Sequence, residues 1–408
     1  MITVDVIVAG GGPGGLSAGE AAARAGCSVL ILEQDTEIGS PTRTTGGSFI
    51  QDLKALGIPD HLYHPIKRSR FLSPHNGAQF DFEEPVTCVM DVRGVFQFLG
   101  GRAIDAGARI SVAATAVEPI VEDSTVVGVK ARSATDPDFM IRSKILIDAT
   151  GYRASMLRQA GVRPGHKRFG VGSEYDFYAP NCDQDEAVLI VGSQVAPAGY
   201  AWVFPWGKKR VRVGVGILHT DSSAHPDQYL DSLVERAHLF GVNLEGAQPL
   251  EYHFGLIPSE GLAEPFVGNG IMAVGDAAGQ ASALVGEGIR WAIKAGRLAG
   301  AIAGEAIAAG DVSREFLSRY QKQWRSTYGT NLRIAYEINK KMANFDDDKW
   351  DRKTELIKLF NAHQFGQALQ SNFVAGWAVH LLWSHPQLMK EGFNEIKDRL
   401  KLGTLSMK

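Results

Sequence analysis

Cysteine is scarce. Cys27, Cys88 and Cys182 are scattered through 408 residues. None stands in a CxxC pair or at a zinc-like spacing, which sets aside a disulfide framework, a dithiol redox centre and a structural zinc site. Each reads as a small buried hydrophobe, and so sparse an odd count fits a reducing compartment. No run approaches the ~18 apolar residues of a membrane span. No charged segment precedes an apolar one at the N-terminus, as a signal peptide needs. A cytoplasmic protein is expected. An excess of one charge is lacking too: 42 Lys and Arg against 45 Asp and Glu leave −3. Such a chain carries no electrostatic footprint for nucleic acid, which is not expected as a partner. The histidines are scattered, so neither a metal nor a catalytic histidine is assigned. Repeats and low-complexity linkers are missing as well.

Glycine, by contrast, is abundant: 46 of 408 residues, about 11% against a usual ~7%. Glycine excess marks places where backbone must approach something closely. The densest cluster is Gly10-Gly11-Gly12-Pro13-Gly14-Gly15. A buried strand, residues 4–9, precedes it, and an alanine-rich helix, 16–25, follows. A second strand, 28–32, ends on Glu33. This is a βαβ start with GxGxxG at Gly10, Gly12 and Gly15. The first glycine allows the tight turn, the second admits a pyrophosphate to the backbone, and the third lets helix and strand pack. Pro13 and Gly14 open the helix, whose N-terminus meets phosphate with free N–H groups. Glu33 suits the ribose hydroxyls of an adenosine.

Two later strands end in similar turns. Ile145-Leu146-Ile147-Asp148-Ala149-Thr150-Gly151 closes on DATG. Residues 270–279 close on Gly275-Asp276-Ala277-Ala278-Gly279 and run into Gly286-Glu287-Gly288-Ile289 and a helix, 290–307. A strand-end Asp can accept from a ribityl hydroxyl, and a helix N-terminus can face the electron-rich end of a reduced flavin. In order and spacing, residues 1 to about 330 resemble the FAD-binding half of the para-hydroxybenzoate-hydroxylase-fold flavoproteins. That resemblance implies FAD. It also implies an α/β chain in which a Rossmann-like FAD-binding domain (1–65, 91–165 and 263–330) interleaves with a β-sheet substrate domain (66–90 and 167–262), followed by a C-terminal helical segment (331–408). It makes Arg43, with Thr44 beside it, and Arg93 candidate cofactor contacts, and Gly151, Gly275, Asp276, Gly286, Gly288 and Ile289 parts of the flavin site. No second GxGxxG stands in a strand–turn–helix context, so an external electron donor is expected: NAD(P)H, or a separate reductase or ferredoxin as protein partner.

Gly199-Tyr200-Ala201-Trp202-Val203-Phe204-Pro205 is the informative segment on the substrate side. In a strand, alternate residues share a face. Tyr200, Trp202 and Phe204 form an aromatic row, with Ala201 and Val203 opposite. A Val211–Val213–Val215 alternation follows as a neighbouring strand. By itself the row reads as sheet core. However, Tyr-x-Trp-x-Phe-Pro followed by a Val-Gly-x-Gly strand, Gly-Glu-Gly-Ile at 286–289 and Ile38-Gly39-Ser40-Pro41-x-Arg43 resemble the geranylgeranyl reductases. The resemblance implies that the row lines a hydrophobic substrate cavity beside the flavin, with Thr45 and Gly46 on the substrate side. There are departures. Thr44-Thr45-Gly46-Gly47 replaces the family's Cys-Gly-Glu-Gly, Ala283 stands where a proline is usual, and Gly279 replaces the His of aromatic hydroxylases. Lys54 and Lys67 match no halogenase lysine.

The resemblance implies a reductase that saturates alkenes of an isoprenoid-type substrate with hydride from reduced FAD. The alternative on the same fold is a monooxygenase that hydroxylates or epoxidises through a flavin C4a-hydroperoxide. No proton donor stands out, and Tyr200 is the one guess. The apolar stretch 373–383 packs on the body or closes the cavity. Its sharper alternative is a transient membrane-surface contact that admits lipid. Asp346-Asp347-Asp348-Lys349 reads as a solvated charged turn.

Overall fold

Ile2–Ala9 buries Val6, Ile7, Val8 and Ala9 in succession, the mark of a strand covered on both faces. The computed structural model, which describes residues 2–373, places it near the centre of a largely parallel sheet. Val29–Leu32 pairs with it on one side and Phe139–Asp148 on the other. Arg109–Ser111 and Ile271–Ala273 extend the sheet outward, and Ala114–Glu122 and Thr125–Ser133 form an antiparallel flap on Phe139–Asp148. Helices Pro13–Arg24 and Ile289–Ala309 lie against each other through a stripe of glycines. A Cβ at Gly296 would stand 2.2 Å from the Gly14 carbonyl oxygen, and one at Gly300 2.3 Å from that of Ala18. These contacts run in the same order along both helices, so the two are parallel. Their uncapped N-termini lie on the side of the sheet where the strands end.

A second sheet has the strand order Gln248–Pro258, Phe169–Tyr178, Arg210–His219, Ala196–Gly207, Glu186–Gly192, Arg68–Ser73, Asn76–Asp81. All its pairs are antiparallel except Arg68–Ser73 with Glu186–Gly192. One face buries Val203, Val211, Val213 and Val215 against Leu230 and Leu233 of helix Pro226–Glu235, an element not expected in a β-rich stretch. A three-stranded sheet, Gly47–Phe49, Thr87–Met90 and Tyr63–Ile66, joins the two larger ones.

Helices Arg314–Trp324, Thr330–Met342, Asp347–Ile357 and Ala362–Leu369 follow. The expected charged turn at 346–349 is instead a helix start. Asp346 accepts from the Lys349 N–H at 2.7 Å, and Asp347 accepts from the Ser193 N–H and hydroxyl at 2.7 and 2.8 Å. Local charge alone gave no hint of that partner, in the distant turn after strand Glu186–Gly192. The apolar residues 374–383 lie outside the described residues. Among those described, no helix is long and apolar enough to cross a membrane.

Candidate active site

The glycine turn after the first strand is shaped for backbone contact. Gly10 has φ +117°, and a Cβ there would meet the Ala149 carbonyl at 2.2 Å. One on Gly15 would meet the Gly10 carbonyl at 2.0 Å. Gly12 differs, because a Cβ there would find nothing within 4 Å. Its open side lies at the head of helix Pro13–Arg24, which has no side-chain cap and no acid in its first turn. Free N–H groups beside open space fit a pyrophosphate. Glu33 accepts from the Gly11 N–H at 2.7 Å and the Asp35 N–H at 2.8 Å, which fixes its carboxylate at the rim of this turn. The arrangement fits the adenosine diphosphate half of FAD.

The two strand-end acids differ. Asp148 is fully buried, and its oxygens accept from the Thr150 N–H (2.9 Å), the Thr150 hydroxyl (2.6 Å) and the Leu157 N–H (2.7 Å). It faces inward and shapes the DATG turn around Gly151, so the expected outward contact to a ribityl hydroxyl is corrected: turn donors have claimed its lone pairs. Asp276 is partly exposed, and its carboxylate has no hydrogen-bond partner among the described residues. Burial pushes it up to about 6, with the nearby His166 pulling the other way. A Cβ on Gly288 would stand 3.3 Å from Asp276 Oδ1, so this free acceptor adjoins the uncapped start of helix Ile289–Ala309. A free acceptor and a helix N-terminus fit the ribityl and isoalloxazine end of FAD.

Arg43 and Arg93 come to the loop after the second strand, where each is more than half exposed. Arg43 pairs with Asp35 at 2.8 Å, and Arg93 with Glu37 at 2.5 Å.

Beyond Gly286, Gly288 and Ile289 opens a cavity of about 190 Å³, walled by the three-stranded sheet and by one face of the second sheet. That face is built in cross-strand rows. Tyr200, Gly216, Gly172 and Gly255 stand opposite one another along one row; Trp202, Gly214, Glu174 and His253 along the next; and Phe204, Arg212, Asp176 and Glu251 along the third. The glycines leave the hollow into which the aromatic rings fold. Trp202 lies across Gly214 and donates from Nε1 to Glu174 Oε2 at 2.7 Å. Tyr200 donates to the Val285 carbonyl at 2.5 Å, holding the loop next to Gly286, and burial pushes its phenol up. That geometry makes Tyr200 a tether for the loop, with its hydroxyl hydrogen on a backbone carbonyl. Arg212, buried in the third row, donates to the Thr45 and Met90 carbonyls and fixes the loop that carries Thr44, Thr45 and Gly46 on the cavity wall.

Sequence reasoning missed the polar groups of this wall. Glu174 is 3% exposed and His253 4%. His253 Nδ1 faces Glu174 Oε1 at 2.8 Å, and its Nε2 faces Glu251 Oε2 at 3.1 Å. Thr45 donates to Glu174 Oε2 at 2.5 Å. Burial alone would lower the imidazole, but the hydrogen bond and charge of Glu174 outweigh it and raise it from its ordinary value. An acid among alternating glycines, in Gly170-Val171-Gly172-Ser173-Glu174, was the available signal. Cys88 also lies on the wall, 1% exposed; burial pushes its thiol up, which keeps it from acting as a thiolate.

Residues 5–173 match the family model of FAD dependent oxidoreductases, and residues 170–255 that of the geranylgeranyl reductase catalytic domain. The digeranylgeranylglycerophospholipid reductase of Methanosarcina acetivorans is 32% identical over 407 residues, 96% of this chain and 98% of that protein. Digeranylgeranylglycerophospholipid reductase 1 of Methanopyrus kandleri is 35% identical over 346 residues, 84% of this chain and 91% of that one. A geranylgeranyl bacteriochlorophyll reductase-like crystal structure from Thermoplasma acidophilum superposes with a TM-score of 0.85 at 27% identity, covering 96% of this chain and 98% of that one. A flavin-dependent brominase, 17% identical with a TM-score of 0.71 over 95% of this chain and 99% of its own, shares the fold.

Proposed function

This chain belongs to the geranylgeranyl reductase family of FAD-dependent oxidoreductases, and from that premise we propose that it saturates double bonds in the isoprenoid chain of a lipid. The observation that carries the reading is the cavity. Its apolar wall of Phe49, Ile66, Leu189, Tyr200, Trp202 and Phe204 runs directly to the helix start at Gly288 and Ile289. Reduced FAD, when bound, supplies a hydride to one carbon of the double bond. The residues of the chain do the rest. The Gly10–Gly15 turn and Glu33 hold the dinucleotide, and Asp276 accepts from the linker between phosphate and ring. The aromatic row flattens and orients the prenyl chain, and the apolar wall excludes water, which strengthens every electrostatic interaction inside. Electrons are proposed to come from NAD(P)H or from a separate reductase or ferredoxin. The substrate is proposed to reach the cavity from a membrane surface that a cytoplasmic enzyme touches transiently.

The test is anaerobic. Dithionite-reduced holoenzyme is mixed with a geranylgeranyl lipid, flavin absorbance is followed, and the lipid is weighed by mass spectrometry. Reoxidation together with the gain of two hydrogens per bond supports the proposal. A reduced flavin that persists over an unchanged lipid refutes it, and an oxygenated lipid formed in air would replace it with the monooxygenase.

A further inference from the structure

Saturating an alkene needs a proton as well as a hydride, and Tyr200 has its hydroxyl hydrogen on a backbone carbonyl. The second cross-strand row offers another source. We propose that Glu174 delivers the proton to the substrate, and that His253, its ring held by Glu251, supplies that proton to Glu174; this inference rests on the functional reading above.

The geometry has a wet end and a dry end. The Glu251 side chain is 50% exposed, while those of His253 and Glu174 are each 4% exposed. Glu174 lines the cavity with Thr45 and Trp202 beside it. Each ring nitrogen of His253 faces a carboxylate, and an ionised carboxylate only accepts, so the ring carries both protons. In the open cavity the charged pair is stable: Glu174 accepts from His253, Thr45 and Trp202. An apolar chain entering the cavity replaces the water beside this pair with a medium of low dielectric. Desolvation disfavours both charges, so the proton passes from Nδ1 to Glu174 and the pair becomes neutral. Substrate binding thus arms the acid.

The balance is simple. The π bond of the alkene is lost and two C–H bonds form. Hydride from the reduced flavin goes to one carbon and the Glu174 proton to the other. Glu174 is left as a carboxylate, and the neutral His253 keeps the Nε2 hydrogen that it gives to Glu251; when the product leaves, water entering the cavity returns a proton to the vacant Nδ1 beside Glu174. One proton is drawn from solvent for each bond reduced, and the flavin is oxidised.

Glu174→Gln keeps the shape and cannot carry the proton. In the anaerobic single-turnover experiment it should slow lipid-driven flavin reoxidation by at least ~100-fold, the range of a lost general acid. FAD binding and dithionite reduction should be unchanged. His253→Gln should act alike, and Glu251→Gln more weakly. A second readout is independent of turnover. Imidazole ¹⁵N resonances of the oxidised holoenzyme should show His253 still protonated above ~6.5 in the wild type, and losing that proton at lower pH in Glu174→Gln. Three charged groups face this ring: Glu174 and Glu251, which hold its proton, and Arg212, which opposes it. The wild-type rate should fall as pH rises through the His253 titration, and this limb should vanish in His253→Gln. If Glu174→Gln and His253→Gln both reduce the lipid at the wild-type rate, the relay is overturned and the reductase stands. A wild type that leaves the lipid unsaturated overturns both.

Discussion

Replacing Gly214 by alanine builds a methyl group 2.3 Å from Trp202 Cζ2 and 2.4 Å from Cε2. To regain ordinary contact the indole must retreat by roughly 1 Å. It has little freedom to do so. Trp202 is 8% exposed, its ring lies beside that of Tyr200 at 5.5 Å, and its N–H is held by Glu174 at 2.7 Å. Overpacking a core site costs about 1–3 kcal/mol, and losing a hydrogen bond to a charged acceptor about 1.5–3 kcal/mol. The ring relieves one by giving up the other, so the two do not add, and about 1.5–3 kcal/mol is expected for Gly214→Ala. The assay is urea unfolding followed by near-ultraviolet circular dichroism, read at constant m. The displaced ring also narrows the cavity, so affinity for a saturated prenyl analogue should drop about tenfold, or about 1.4 kcal/mol. FAD affinity should hold, because Gly214 lies outside the Gly10–Gly15 turn. A variant with the wild-type midpoint and wild-type prenyl affinity would refute the reasoning: the row would then yield without cost, and its glycines would not shape the cavity.

Other outcomes are expected. Gly12→Ala should fold with unchanged stability, since its Cβ meets nothing, yet bind FAD at least ~10-fold more weakly by fluorescence titration, because the methyl occupies phosphate space. Gly15→Ala should lose both stability and FAD, its Cβ striking the Gly10 carbonyl; equal behaviour of the two variants would count against the cradle. FAD that donates a hydroxyl to the Asp276 carboxylate favours its ionised form. Affinity should therefore be full above about 6 and fall as pH drops below it, and Asp276→Asn should flatten that dependence. Asp52 accepts from Arg290, Lys294 and Gln370 at 3.2, 2.6 and 2.6 Å, so Asp52→Ala should cost about 3–5 kcal/mol in urea unfolding. Burial works against the Asp52 charge, but Arg290 and Lys294 outweigh it and hold the carboxyl below its ordinary value. The stability it contributes is present above about pH 4 and is lost as pH falls through the lowered value. An acid limb unchanged in Asp52→Ala would contradict this.

The shape of the glycine turn was legible because it is local. Gly10, Gly12 and Gly15 lie within six residues, and the free backbone N–H groups beside them belong to the same helix start. The place of Glu33 at the rim of that turn was legible for the same reason, at the end of the next strand. Asp148 shows the limit of that reading. A strand-end Asp looks the same in sequence whether it faces a ligand or its own turn, and only the Leu157 and Thr150 donors reveal which. Arg43 and Arg93 were singled out by position, but their exposed pairing with Asp35 and Glu37 depends on how the loop folds back.

The sequence by itself determined the periodic facts. A continuously apolar strand, a glycine turn and an alternating Tyr200–Trp202–Phe204 face follow from side-chain period and backbone sterics, which act over a few residues. The tertiary structure decided what stands beside them. Glu174 and His253 are 79 positions apart, and Thr45 and Glu174 are 129 apart. Glu174 and His253 meet through the register of strands that are not consecutive in the chain, where a shift of one residue would turn each to the opposite face, and Thr45 joins them on a loop that Arg212 holds. Long-range register is a property of the packed sheet, fixed by which faces must be buried, and that is why the cavity's aromatic side could be read in advance while its buried polar side could not.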